Sequence, residues 1–242
     1  VAVVDVGHLH QPEKGNFDHH QFPRDAKPTC ALSLILQYLG LYEDACAFCE
    51  WLKPAEWFDC RGAIRTAEWL GVDRQVMFKL SSPIDFTLLK RFSAASVWQP
   101  GDTVWEMMRM IGEDLLAYIR GMRSRVDGLQ KTAEIVDIEV PGQLGAKVVF
   151  IERNDKLRDD PTQGLSFFLK EKGIETSVVA VVSPDSRGHG YGLRRYEDHP
   201  KIDFNRIAGE HDVHFVHKSG FLAKVNATER SRLFELLAYA IS

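Results

Sequence analysis

Apolar residues recur at helical spacing through the first half of the chain and form strand-like runs through the second. Leu32, Ile35, Leu36 and Leu39 fall three or four apart, which predicts a helix over 30–39. Pro28 and Thr29 stand at its start, with Thr29 read as the cap in preference to a phosphate contact at the helix N-terminus, and Gly40 follows its end. A second helix is expected over 41–53, interrupted by Pro54, and a third over 63–70, ended by Gly71. Ser82-Pro83 opens a short helix reaching Phe92. Val104, Met107, Met108, Ile111, Leu115, Leu116 and Ile119 predict a long helix, capped by Asp102 or Thr103 and running to about Arg125. Arg120, Arg123 and Arg125 then crowd its last turns, where cations suit the helix dipole. That reading is preferred to contact with a nucleic-acid backbone.

Past Gly128 the texture changes. Residues 134–140 alternate, Pro141-Gly142 turns, and 146–152 make a second strand. A helix over 162–172 closes at Gly173, strands follow over 175–183 and 191–196, and Asn226 to Glu229 resembles a capping box opening the last helix. The expected division is 1–127 and 128–242. The expected class is α/β, a parallel-sheet domain with a helical connector followed by a smaller α+β domain.

The opening is the most informative stretch. An apolar run, Val1 to Val4, leads into Asp5 and reads as a buried strand ending in a carboxylate. Gly7 permits a sharp turn, His8 and His10 fall in the loop, and Gly15-Asn16 turns again. Phe17 then anchors a short strand before Asp18-His19-His20. In parallel α/β sheets ligands gather at the carboxyl ends of strands. Carboxylate and imidazole together suit divalent cations, Mn²⁺ among them.

Composition narrows the reading. Of 242 residues, 45% are hydrophobic and 26% charged, as in ordinary soluble domains. A net charge of -4 excludes a strongly basic nucleic-acid binder, so any nuclease chemistry must draw on local basic surface and metal ions. No apolar run approaches a membrane span and no signal peptide is visible, so no membrane partner is expected. Cys30, Cys46, Cys49 and Cys60 are therefore expected as reduced thiols in a cytoplasmic protein. The Cys46–Cys49 pair sits in a helical pattern, and the four-cysteine spacing is not that of a zinc ribbon.

The wording Val4-Asp5-Val6-Gly7, then Phe17-Asp18-His19-His20-Gln21, resembles the second and third motifs of the DHH phosphoesterase superfamily. It is most similar to the Myg (melanocyte-proliferating-gene) family of metal-dependent nucleases. The resemblance implies two divalent ions, Mn²⁺ or Mg²⁺. Asp5 would bridge them and His19 and Asp59 would complete one. Asp59 resembles the superfamily's fourth motif and is preferred to Asp44 and Asp73, because apolar and aromatic neighbours leave a carboxylate in need of a partner. His20 would face the scissile phosphate and Asp18 would orient a neighbouring imidazole.

Farther on, Phe215-Val216-His217-Lys218-Ser219-Gly220-Phe221 is similar to the family's substrate-holding turn. Arg187, His189, Arg194 and Arg195 surround a glycine loop. They read equally as a phosphodiester groove, with Tyr191 stacking on a base, and as a solvated hairpin. The implied activity is a 3′–5′ exonuclease on single-stranded RNA or DNA. Two alternatives stand beside it: a phosphohydrolase of small molecules or short oligonucleotides, and a non-catalytic nucleic-acid-binding or scaffold protein. The family carries an earlier His- and Asp-rich motif, expected here from a preceding segment, a homo-oligomer or a partner chain. Without it, the non-catalytic reading gains.

Overall fold

The computed structural model describes residues 3–23, 25–79 (backbone alone at 77–79), 82–94, 98–142, 145–154, 160–186, 188 and 190–241. Arg187 and His189 lie outside the described residues, as do Val1 and Ala2 of the expected first strand. The architecture is mixed α/β. The chain forms two compact units, Val1–Gly121 and Met122–Ser242.

The first unit carries a small sheet of β1 (Val3–Val4), β2 (His10–Gln11) and β3 (Asn16–Phe17), in the order β1-β3-β2. β1 runs parallel to β3 and β2 antiparallel to it. The strand before Asp5 is therefore present but not buried: Val3 and Val4 are 37% and 42% exposed. Three two-residue strands make a sheet too small to enclose both faces. His10 proves to be a strand residue, with its ring between Phe17 and Phe22.

Helices supply most of this unit. α1 (Ala31–Tyr38) and α2 (Tyr42–Phe48) bury Leu34, Leu36, Tyr42, Ala45 and Phe48. The next break falls at Cys49–Trp51, ahead of Pro54, and α3 (Leu52–Leu70) starts before the proline. Pro54 thus sits in a first turn, where amides have no intrahelical partner and a missing N–H costs nothing. α3 kinks at Gly62, whose φ of 75° and ψ of 172° favour glycine. Inside, buried Glu56 accepts from the Tyr42 hydroxyl at 2.7 Å and from Lys53 at 3.0 Å. α4 (Arg74–Lys79), which the pattern did not announce, and α5 (Pro83–Phe92) follow. A capping box between Ser82 and Asp85 opens α5.

α6 (Thr103–Thr132) runs past its expected end, and the division between the units falls inside it. Gly128 does not stop it, since one glycine costs a helix about 1 kcal/mol and buried Val126 and Leu129 anchor the flanking turns. Arg120, Arg123 and Arg125 therefore lie well before the last turn, and the dipole reading falls. Arg123 instead pairs with Glu171 at 3.0 Å.

In the second unit, β4 (Ala133–Ile138), β5 (Ala146–Ile151), β6 (Val178–Pro184), β7 (Tyr191–Arg195), β8 (Val213–Val216) and β9 (Leu222–Val225) form one sheet. Its order is β4-β5-β6-β7-β9-β8, with β5–β6 parallel and the other pairs antiparallel. Val148, Phe150, Ala180, Val182, Leu193 and Ala223 share a core with Leu233, Leu236 and Leu237 of α8 (Arg230–Ala240). Val149, Ile151 and Val181 are buried as well, as are Leu165, Phe168 and Leu169 of α7 (Leu165–Glu171). Central strands buried on both faces read as continuous apolar runs, which is why this sheet is legible in the sequence. α8 starts at Arg230 without a side-chain cap, so the expected capping box is not formed. The Asn226 amide is committed instead to the Asp212 carbonyl, at 2.8 Å.

Candidate metal centre

The parallel pairing of β1 and β3 positions the opening residues. The Asp5 amide donates to the Phe17 carbonyl at 3.0 Å, so Asp5 leaves β1 beside the point where Asp18-His19-His20 leaves β3. The backbone between is strained: Asp5 and His8 have φ of 62° and 54°, a left-handed region that non-glycine residues seldom adopt. Such strain concentrates at functional sites.

Asp18 is fully buried. It accepts the His8 amide at 2.7 Å, the His20 amide at 2.9 Å and His20 Nδ1 at 2.7 Å. Burial opposes its charge, but these donors, the His20 amide and ring foremost, outweigh burial and hold the carboxyl well below the ordinary range. The same hydrogen bond from Asp18 raises the His20 imidazole, against its partial desolvation. With Nδ1 bound to Asp18, the free nitrogen of His20 is Nε2.

His19 is 8% exposed. Its Nε2 lies 3.1 Å from Asp5 Oδ1 and 3.1 Å from Asp59 Oδ2, yet is buried without a well-formed hydrogen bond. Asp5, His19 and His20 each offer a ligand atom, and these lie within 4.8 Å of one another. A buried ring nitrogen facing two carboxylates is a donor set that fits a hard or borderline divalent cation.

Asp59 reaches this point from α3, one turn before its kink. Its neighbours fasten the helix to the segment before α1. The Cys60 thiol donates to the Thr29 carbonyl at 2.8 Å and accepts the Thr29 amide at 3.3 Å. Arg61 donates to the Ala26 carbonyl at 2.7 Å. Cys60 Sγ also stands 3.7 Å from His19 Nδ1, the nitrogen that faces away from the carboxylates. Thr29 is not the cap of α1: that position belongs to Cys30, without a side-chain bond, and the Thr29 hydroxyl is buried and unpartnered. Of the rival aspartates, Asp73 accepts the Gln75 amide at the start of α4, and Asp44 lies in α2. All four cysteines are free.

A cavity of ≈ 260 Å³ opens beside the cluster, lined among others by His19, His20, Asp59, Lys27, Thr29 and Arg61. Lys27 and Arg61 escaped the sequence reading, which preferred Thr29 as a cap and took Cys60 only as a reduced thiol. The run Asp59-Cys60-Arg61 was visible, but its partners lie some thirty residues away and carry no pattern of their own.

The second unit holds the other expected residues. His217, Lys218, Ser219 and Gly220 form the turn between β8 and β9. Gly220 has φ 66°, and a Cβ there would stand 2.0 Å from Asp203 Oδ1. The Ser219 amide donates to His217 Nδ1 at 3.2 Å, and Arg195 donates to the Ser219 carbonyl at 3.3 Å. Arg195 thus joins this turn. Arg194, on the opposite face of β7, lines a separate cavity with Asp185 and Lys224. Tyr191 cannot stack on a base: it is buried, stacks on Phe150, and lies beneath the Arg153 guanidinium. Among the described residues no helix is long and apolar enough to cross a membrane. Searches with the sequence match no family model and no curated protein.

Proposed function

We propose that the chain is a divalent-metal-dependent phosphodiesterase of the DHH type, acting as a 3′–5′ exonuclease on single-stranded RNA or DNA. The observation that carries this reading is the convergence of Asp5 and Asp59 on one buried, unpartnered nitrogen of His19. Asp5, His19 and Asp59 would hold Mn²⁺ or Mg²⁺, and bound ions of this class activate water and offset phosphate charge. Asp18 fixes the His20 ring through Nδ1, which leaves Nε2 to donate to a phosphate oxygen or to protonate the departing oxygen. In the second unit the His217–Gly220 turn, with Lys218 and Arg195, offers donors for a phosphodiester chain. A cytoplasmic setting fits the four cysteines, which are all free.

The cavity beside the cluster, ≈ 260 Å³, is open and admits a chain end or a small phosphoester, so a phosphohydrolase of small molecules or short oligonucleotides stands beside the first reading. Labelled oligonucleotides of graded length, incubated with and without Mn²⁺, test both readings. Cleavage that needs Mn²⁺ and is lost in Asp5→Ala and His19→Ala supports the hydrolytic site. Undiminished cleavage by either variant removes those residues from it.

A further inference from the structure

The cavity beside the cluster has a side that the metal ligands do not explain. Lys27 and Arg61 both line it, and among the described residues no carboxylate lies within ion-pair reach of either. The Lys27 ammonium lies over the Tyr42 ring, 5.9 Å from its centroid. Arg61 spends one N–H on the Ala26 carbonyl and keeps the rest of its guanidinium fork. Thr29 lines the same cavity, and its hydroxyl, closed off from solvent, has no hydrogen-bond partner. A buried hydroxyl left unbonded in a native fold calls for a ligand or an ordered water. Phe22 and Pro23 close another wall with apolar surface.

Charge separates the candidate occupants. A phosphodiester carries one negative charge, whereas a phosphomonoester carries about -1.5 to -2 near neutral pH and has three strong acceptor oxygens. Two cations and a hydroxyl donor match the second. A guanidinium fork is shaped for paired phosphate oxygens, and an ammonium adds a point charge.

We propose that Lys27, Thr29 and Arg61 form a subsite for a phosphomonoester group, held beside the Asp5–His19–Asp59 cluster. The substrate would accordingly present a terminal phosphate. The link to hydrolysis rests on the function proposed above, but the subsite binds without metal.

The test uses the full chain, kept metal-free, and short single-stranded oligonucleotides with a 5′-phosphate, a 3′-phosphate or hydroxyls at both ends. Binding is read by fluorescence anisotropy. One phosphorylated form is expected to bind about tenfold tighter than the hydroxyl form, and Lys27→Gln should erase that advantage while leaving hydroxyl-end affinity in place. Lys27 is exposed, so its replacement leaves the fold intact. A nucleoside monophosphate that competes as well as the phosphorylated strand would identify a free nucleotide as the source, and a weaker competitor would identify the chain end. Either result keeps the phosphomonoester. Equal affinity for phosphorylated and hydroxyl ends, or a uniform loss in Lys27→Gln, overturns the subsite. Calorimetry with Mn²⁺ keeps the two ideas apart: metal binding without phosphate preference sinks the subsite alone, and phosphate preference without metal binding sinks the hydrolytic reading alone.

Discussion

Asp59→Asn should stabilise the metal-free protein while destroying its response to metal. Asp5 Oδ1 and Asp59 Oδ2 each stand 3.1 Å from the same nitrogen, so the two charged oxygens are at most about 6 Å apart. Their side chains are 53% and 43% exposed, so the medium between them is closer to water than to protein interior. At an effective dielectric constant of about 40, two like charges at that distance repel by about 1.4 kcal/mol, and salt screening lowers this to about 1 kcal/mol. A cation relieves the repulsion, and so does the neutral amide. Thermal unfolding in the presence of a chelator should therefore show Asp59→Asn melting about 2–4 °C above the parent chain. Saturating Mn²⁺ should reverse the order, since a ligand at a hundred times its Kd adds about 2.7 kcal/mol to a protein that binds it. The opposing picture is a closed structural bridge, with a doubly protonated His19 ring between two carboxylates. There, removal of one carboxylate costs stability. A lower melting temperature for Asp59→Asn in chelator, or an equal Mn²⁺ response in both proteins, would refute the metal-site reasoning.

Other outcomes follow from the same geometry. Cys60→Ala removes the sulfur beside His19 Nδ1 and strips the Thr29 amide of its acceptor, so Mn²⁺ affinity measured by calorimetry should fall about tenfold, with Cys60→Ser retaining more of it. Burial pushes the phenols of Tyr42 and Tyr196 up to about 12, so spectrophotometric titration should show a late phenol ionisation whose amplitude falls in Tyr42→Phe. Each phenol keeps its proton longer in the folded chain than in the unfolded one. Their contribution to stability is thus complete below the ordinary value of 10.0 and is lost as pH rises from there through about 12, which alkaline unfolding curves would register. Gly220→Ala sets a Cβ 2.0 Å from Asp203 Oδ1 in a left-handed conformation, and urea unfolding should show a loss of about 2–3 kcal/mol. An unchanged midpoint would mean that Asp203 swings aside freely.

What the sequence disclosed depended on the range of the interaction. The central strands β5 and β6 were legible because burial on both faces writes an unbroken apolar run. The start of α5 was legible because Ser82-Pro83 marks it locally, and the capping box with Asp85 lies within the same turn. Asp5 and the Asp18–His20 triplet were legible because one parallel pairing brings them together over a short loop. The reading failed where a local signal met a longer-range one. Pro54 marked no boundary because the helix began two residues before it, and Gly128 marked none because buried neighbours carried α6 across it. Thr29 looked like a cap, yet its backbone is held by Cys60 from thirty-one residues away and its hydroxyl is buried without a hydrogen-bond partner.

Three aspartates written alike in the sequence are given different work by their surroundings. Asp18 is sealed from solvent with three N–H donors around it, so its charge is spent on holding the His20 ring and the His8 backbone in place. It cannot also reach outward. Asp5 and Asp59 are the reverse: half-exposed, and aimed at a nitrogen that offers neither a proper hydrogen bond. A fold seeking stability alone would have no reason to set two charged groups against each other over a buried ring, or to hold Asp5 in a left-handed backbone to do so. That expense is intelligible if a third charge of opposite sign belongs between them. On that reading the rigid element is Asp18 and not the proposed ligands: a fixed His20 keeps one geometry, while the two exposed carboxylates would stay free to close on a cation.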